Sequence, residues 1–98
     1  MTGWTRRGML VPENHPTAIG HFPGRPIVPG ALLLDEVAAI LAGPGSLTFR
    51  AVKFLAPVAY GAPLELRWQS QDGGLCRFEV QRIEDQITVL TGTLEGAA

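Results

Sequence analysis

Between Gly30 and Ala42 the chain reads GALLLDEVAAILA, a helix-length run with almost no polar face. Leu32, Leu33, Leu34, Val37, Ile40 and Leu41 fall on nearly every side of a 3.6-residue spiral, interrupted only by the adjacent Asp35 and Glu36. Such a helix cannot leave half its surface in water, so other protein must surround it. Pro29 and Gly30 suit its first turn, and Gly43, Pro44 and Gly45 close its exit. The covering material lies downstream, where segments 47–57, 63–71, 75–83 and 86–94 read as strands separated by Tyr60-Gly61, Asp72-Gly73-Gly74 and Glu84-Asp85. Leu64, Leu66 and Trp68 alternate with Glu65, Arg67 and Gln69, and Cys76, Phe78 and Val80 alternate with Arg77, Glu79 and Gln81. One buried and one wet face per strand is the pattern of an antiparallel sheet, and the last two connections are short enough for hairpins. A further strand, at a sheet edge, is expected within 4–12. The order predicts an α+β fold in which one antiparallel sheet wraps around one central apolar helix.

With 98 residues, 46% of them hydrophobic, the chain has room for one domain and one modest core. A domain this small buries a limited share of its surface, so a partner subunit that covers more apolar area is physically useful, and an oligomer is expected. A net charge of -1 with scattered basic residues excludes nucleic acid as a partner, because phosphate binding needs a concentrated basic surface. Cys76 is the sole cysteine, which rules out an intramolecular disulfide or a cysteine-rich metal site and fits a reducing compartment. MTGWTRRGM at the start is followed by no apolar run of signal-peptide length. The longest apolar tract, near 27–42, is broken by Pro29, Gly30, Asp35 and Glu36 and is too short to span a bilayer. A cytoplasmic protein with no membrane partner is the expectation.

Ahead of the helix, residues 13–30 carry Pro16, Gly20, Pro23, Gly24, Pro26, Pro29 and Gly30, too many donor-less or unrestrained positions for a helix or central strand. This is an ordered loop, and it holds His21. Its text, Asn14, Pro16, then Gly20-His21-Phe22-Pro23-Gly24-Arg25-Pro26-Ile27-Val28-Pro29-Gly30, followed by Asp35 fourteen positions after the histidine, resembles the beta-hydroxyacyl-acyl-carrier-protein dehydratases of the hotdog-fold superfamily. The match covers about a quarter of the chain closely. It implies one hotdog domain over residues 1–98 and dehydration of a (3R)-3-hydroxyacyl thioester carried by acyl carrier protein or coenzyme A. No metal or organic cofactor is implied.

The residues can be asked to supply that chemistry unaided. Dehydration removes a weakly acidic proton beside the thioester carbonyl and expels hydroxide, so it needs a base, an enolate stabiliser and an acid. His21 is the natural base, since its ordinary pKa lies near neutrality. Asp35, flanked on its helix by Ala31, Leu32, Ala38 and Ala39, is expected to be partly desolvated and so able to donate to the leaving hydroxyl. Gly30 offers a backbone N–H at the positive end of the helix, and its lack of a side chain lets a thioester approach. Phe22, Pro29 and Ala31 flank these groups and are expected to contact substrate. The resemblance implies that the histidine of one subunit works with the acid of the other, hence a homodimer or higher even oligomer. It also implies an unusual peptide geometry next to the histidine, with a cis bond one form of it.

Plainer roles stand beside these. His21 alone would be an ordinary loop histidine, Asp35 a buried partner for an arginine or a cap, and Gly30 simply a helix-start glycine. Glu36 is the rival acid, about a hundred degrees around the helix from Asp35, and is taken as solvent- or interface-facing. His15 reads as plain surface. Arg25, Arg50, Lys53 and Arg67 either meet an acidic carrier protein or are scattered solvated charges. Phe22, Phe54 and Trp68 either line an acyl tunnel or belong to the core. Two departures from the family pattern affect the expectation: Ala39 stands where the family's helix usually carries a glutamine, and the sequence begins only twenty residues before His21. The short form with aspartate is similar to accessory dehydratases of specialised lipid or aryl-polyene pathways. A hotdog thioesterase and an acyl-binding or scaffold subunit without turnover are the competing functions.

Overall fold

The structure, a computed structural model, describes residues 3–13, 27–42 and 47–96. Its elements are β1 (Thr5–Met9), α1 (Gly30–Leu41), β2 (Thr48–Phe54), β3 (Leu64–Ser70), β4 (Leu75–Arg82) and β5 (Thr88–Glu95). The strands form one antiparallel sheet in the order β1-β3-β4-β5-β2, so the predicted edge strand and all four downstream strands are present. This is the α+β hotdog arrangement.

Register shows why the alternating sequence folds this way. Leu66 lies opposite Val80, Val80 opposite Leu90, and Cys76 opposite Leu94, so the apolar set of each strand shares one face. That face meets Leu33, Val37 and Leu41 of α1, and all of these are buried. Burial also pushes the Cys76 thiol above its ordinary pKa, which keeps it protonated and unreactive. The opposite face carries the charged set. Arg67 donates to Glu79 at 2.9 Å and its guanidinium lies 5.1 Å from the Trp4 ring centre, while Arg6 pairs with Glu65 and Arg50 with Glu95.

Gly92 is needed where Phe78 crosses the sheet. Phe78 lies directly opposite it, and a methyl group on Gly92 would sit 2.7 Å from Phe78 Cζ and 3.2 Å from Val52 Cγ2. Phe78 has no room to retreat, since it is fully buried and packs edge-on against Phe49 at 5.7 Å. Gly92→Ala is therefore expected to destabilise the fold by about 1–3 kcal/mol, read as a lower denaturant midpoint.

Three expectations need correction. The helix is not covered on all sides by this chain: Leu33, Val37 and Leu41 are buried, but Ala31, Asp35 and Ala39 form an exposed stripe at four-residue spacing. The β4–β5 connection is longer than Glu84-Asp85, running over 83–87 with Gln86 at φ 59°. Arg82 organises it, donating to both Asp85 carboxylate oxygens and, through Nη1, to the Pro57 carbonyl at 2.8 Å. That guanidinium holds the exposed Asp85 carboxyl below its usual range. Finally, β2 does not run evenly over 47–57. It stops at Phe54 and bulges between Arg50 and Lys53, where Ala51 takes φ 51°.

Candidate active site

Pro29 precedes α1 in extended conformation (φ -61°, ψ 143°), and its carbonyl accepts from both Leu32 and Leu33 at 3.0 and 3.2 Å. Among the described residues no side chain caps the helix, and its first turn holds no acid. The N–H groups of Gly30 and Ala31 thus stand at the positive end of a three-turn helix with no carboxylate beside them. Upstream, the chain is tied to the segment after β2: Val28 donates to the Val58 carbonyl at 2.8 Å, and Ile27 bridges Ala59.

Between these two segments lies an open groove of about 610 Å³, lined by Val28, Gly30, Ala31, Leu33 and residues 54–58. Its volume is in the range of small-molecule sites. The wall is held at both ends. Leu55 donates to the Val89 carbonyl, and Arg82 grips the Pro57 carbonyl.

Of the residues predicted from sequence, the structure brings Gly30 and Ala31 to this groove, with Pro29 at its threshold. Asp35 sits one helical turn beyond Ala31 on the same exposed stripe. It is not partly desolvated by its own chain, as expected above, because the flanking alanines are too short to cover a carboxylate. It is exposed rather than buried, and no ion pair joins it to another of the described residues. Glu36, expected to face solvent or an interface, is half-buried. His21 and Phe22 lie outside the described residues, as do His15, Arg25 and any unusual peptide beside His21.

The aromatic pair divides. Trp68 packs against the core, whereas Phe54 lines the groove and is 53% exposed. Its ring also fills the room that Gly30 was expected to leave for a thioester: a methyl group on Gly30 would lie 2.7 Å from Phe54 Cε1 and Cζ. Sequence reasoning missed the wall at 55–58 and its tie to Arg82. The one available signal was LAP at 55–57, where alternation stops. Arg50 and Arg67 are each matched to a glutamate, whereas Lys53 is exposed and Arg25 lies outside the described residues.

The family described as ApeI-like, ApeI dehydratase, matches residues 5–93. A 3-hydroxyacyl-acyl-carrier-protein dehydratase, FabZ, of Rhizorhabdus wittichii is 40% identical over 76 residues, covering 61% of this chain and 48% of that protein. The FabZ of Zymomonas mobilis is 33% identical over 95 residues, with 80% and 60% covered. The chain thus spans about half to three fifths of the length of these curated relatives. Among solved structures, the dehydratase heterocomplex ApeI:P from Xenorhabdus doucetiae superposes with a TM-score of 0.75 at 27% identity, over 97% of this chain and 88% of that one. An (R)-hydratase from A. caviae involved in PHA biosynthesis shares the fold, with a TM-score of 0.59 at 15% identity over 96% and 94%.

Proposed function

Because this chain belongs to the ApeI-like dehydratase family, we propose that it eliminates water from (3R)-3-hydroxyacyl thioesters. The single observation that carries the reading is the groove at the uncapped start of α1, with the Gly30 amide in its lining and Asp35 exposed one turn away. A thioester carbonyl lying against the Gly30 N–H gains a donor at the positive helix end, where the enolate's charge builds up. His21 takes the proton from carbon 2, and Asp35 protonates the departing hydroxyl at carbon 3, so the products are an enoyl thioester and water.

Asp35 needs a dry environment for this role, and this chain alone leaves it in solvent. A second subunit seated on the exposed helix stripe would supply it, which supports a homodimer or higher even oligomer with each site shared between chains. The matched Xenorhabdus structure is a heterocomplex, so a related partner chain is the other assembly to test. Acyl carrier protein is the preferred carrier, as in the name of the FabZ relatives, with coenzyme A as the second candidate. Reaction in fatty acid, polyketide or aryl-polyene type synthesis, in the cytoplasm, fits a carrier-bound substrate and a reduced, buried cysteine. No helix among the described residues is long and apolar enough to cross a membrane.

The test is one incubation with a 3-hydroxyacyl thioester on carrier protein and on pantetheine, read by mass spectrometry and thiol titration. Loss of one water with the thioester intact is the expected result. Release of free thiol and acid would instead identify a thioesterase. Binding without any turnover would identify an acyl-binding or scaffold subunit.

A further inference from the structure

The bulge in β2 determines where Phe54 points. Phe49 and Phe54 are five residues apart, an odd interval that puts side chains on opposite faces of a regular strand. Here Phe49 lies opposite Leu94 and Phe54 opposite Leu90, and those two β5 residues share the core face. The extra residue between Arg50 and Lys53 makes up the difference, and Ala51 adopts a left-handed φ of 51° to allow it. The result is an aromatic ring turned toward the start of α1, in contact with Gly30, yet 53% exposed. Hydrophobic burial alone does not explain a strained bulge that delivers a half-wet phenylalanine. The ring stands where a Gly30 side chain would begin, inside the groove that a docking thioester must enter, and its other side faces solvent.

Resting on the dehydratase reading of this groove, we infer that Phe54 is a specificity-determining gate: the incoming acyl thioester displaces its ring from Gly30, and the ring then packs beside carbon 2. A straight-chain 3-hydroxyacyl group presents only hydrogens there and passes. A 2-methyl group projects into the ring. The 2-methyl substrate still has one hydrogen at carbon 2, so elimination to the 2-methyl enoyl thioester and water balances as for the straight chain. Discrimination is therefore steric rather than chemical, and one methyl group set against the ring is worth about tenfold or more.

The experiment compares 3-hydroxybutyryl and 2-methyl-3-hydroxybutyryl pantetheine thioesters, matched at carbon 3, with wild-type protein and Phe54→Ala. The expected result is a ratio of kcat/KM favouring the straight chain by at least about tenfold in wild type and falling about tenfold in Phe54→Ala. An unchanged ratio, with turnover present, overturns the gate and leaves the dehydratase reading standing. Non-reactive thioether analogues of the same pair are titrated in parallel by calorimetry, which needs no turnover. Improved binding of the branched analogue to Phe54→Ala supports the gate even if dehydration is never seen, and no improvement overturns it. A separate denaturation cycle checks the contact: Gly30→Ala should destabilise wild type more than it destabilises Phe54→Ala. Equal effects in both backgrounds would mean that the ring does not rest on Gly30, which also overturns the gate.

Discussion

Asp35→Asn is expected to lower kcat for dehydration by two to four orders of magnitude, roughly the contribution of one positioned proton donor. The amide keeps the shape and hydrogen-bonding reach of the side chain but has no proton to transfer to a leaving hydroxyl. Because Asp35 is exposed in the single chain and has no ion pair among the described residues, folding should be unaffected, so a melting curve like that of wild type accompanies the loss. His21→Ala should show a fall of similar size. Mixing the two inactive proteins under subunit exchange provides the sharper measurement. If one chain's His21 works with the other chain's Asp35, half the dimers are mixed and each has one intact site, so about a quarter of wild-type activity returns. A site formed within one chain returns none. Recovery near zero in dimers verified as mixed would remove the shared site from the mechanism.

Phe78→Ala should give the largest loss of stability in the molecule, about 3–5 kcal/mol. Phe78 is fully buried, packs edge-on to Phe49, and crosses the sheet over Gly92. No described neighbour can grow into the space, since the residue opposite has no side chain. A domain of this size has roughly 5–15 kcal/mol in total, so the variant should show a much reduced urea midpoint or fail to fold at 37 °C. A change below about 1 kcal/mol would mean that the site collapses around the hole, contrary to the packing described.

The two results concern properties that were unequally legible in the sequence. Alternation in β3 and β4 revealed the core face directly, because Leu64, Leu66, Phe78 and Val80 have no other reason to recur every second residue. The start and end of α1 were legible for a similar reason: proline and glycine act locally. Gly30 and Asp35 were found through a motif; the structure puts Gly30 at a groove and Asp35 on an exposed stripe. What could not be read was anything settled by contact between distant segments. The grip of Arg82 on the Pro57 carbonyl joins residues 25 apart. Asp35's exposure depends on what the sheet fails to cover, which alanine spacing on the helix cannot reveal. The bulge was partly visible, since Phe49 and Phe54 break the two-residue period, but the break alone does not say which ring turns inward.

The start of α1 has a consequence for how the molecule comes apart. A twelve-residue helix with no side-chain cap, no acid in its first turn and no base in its last has little to hold it together alone. A peptide of residues 27–42 should be a random coil in water, and in the intact chain the helix persists because Leu33, Val37 and Leu41 rest on the strands. The groove therefore has no independent existence: amide exchange at its helical wall should proceed only through the same opening that frees the sheet, and substrate binding should protect both together.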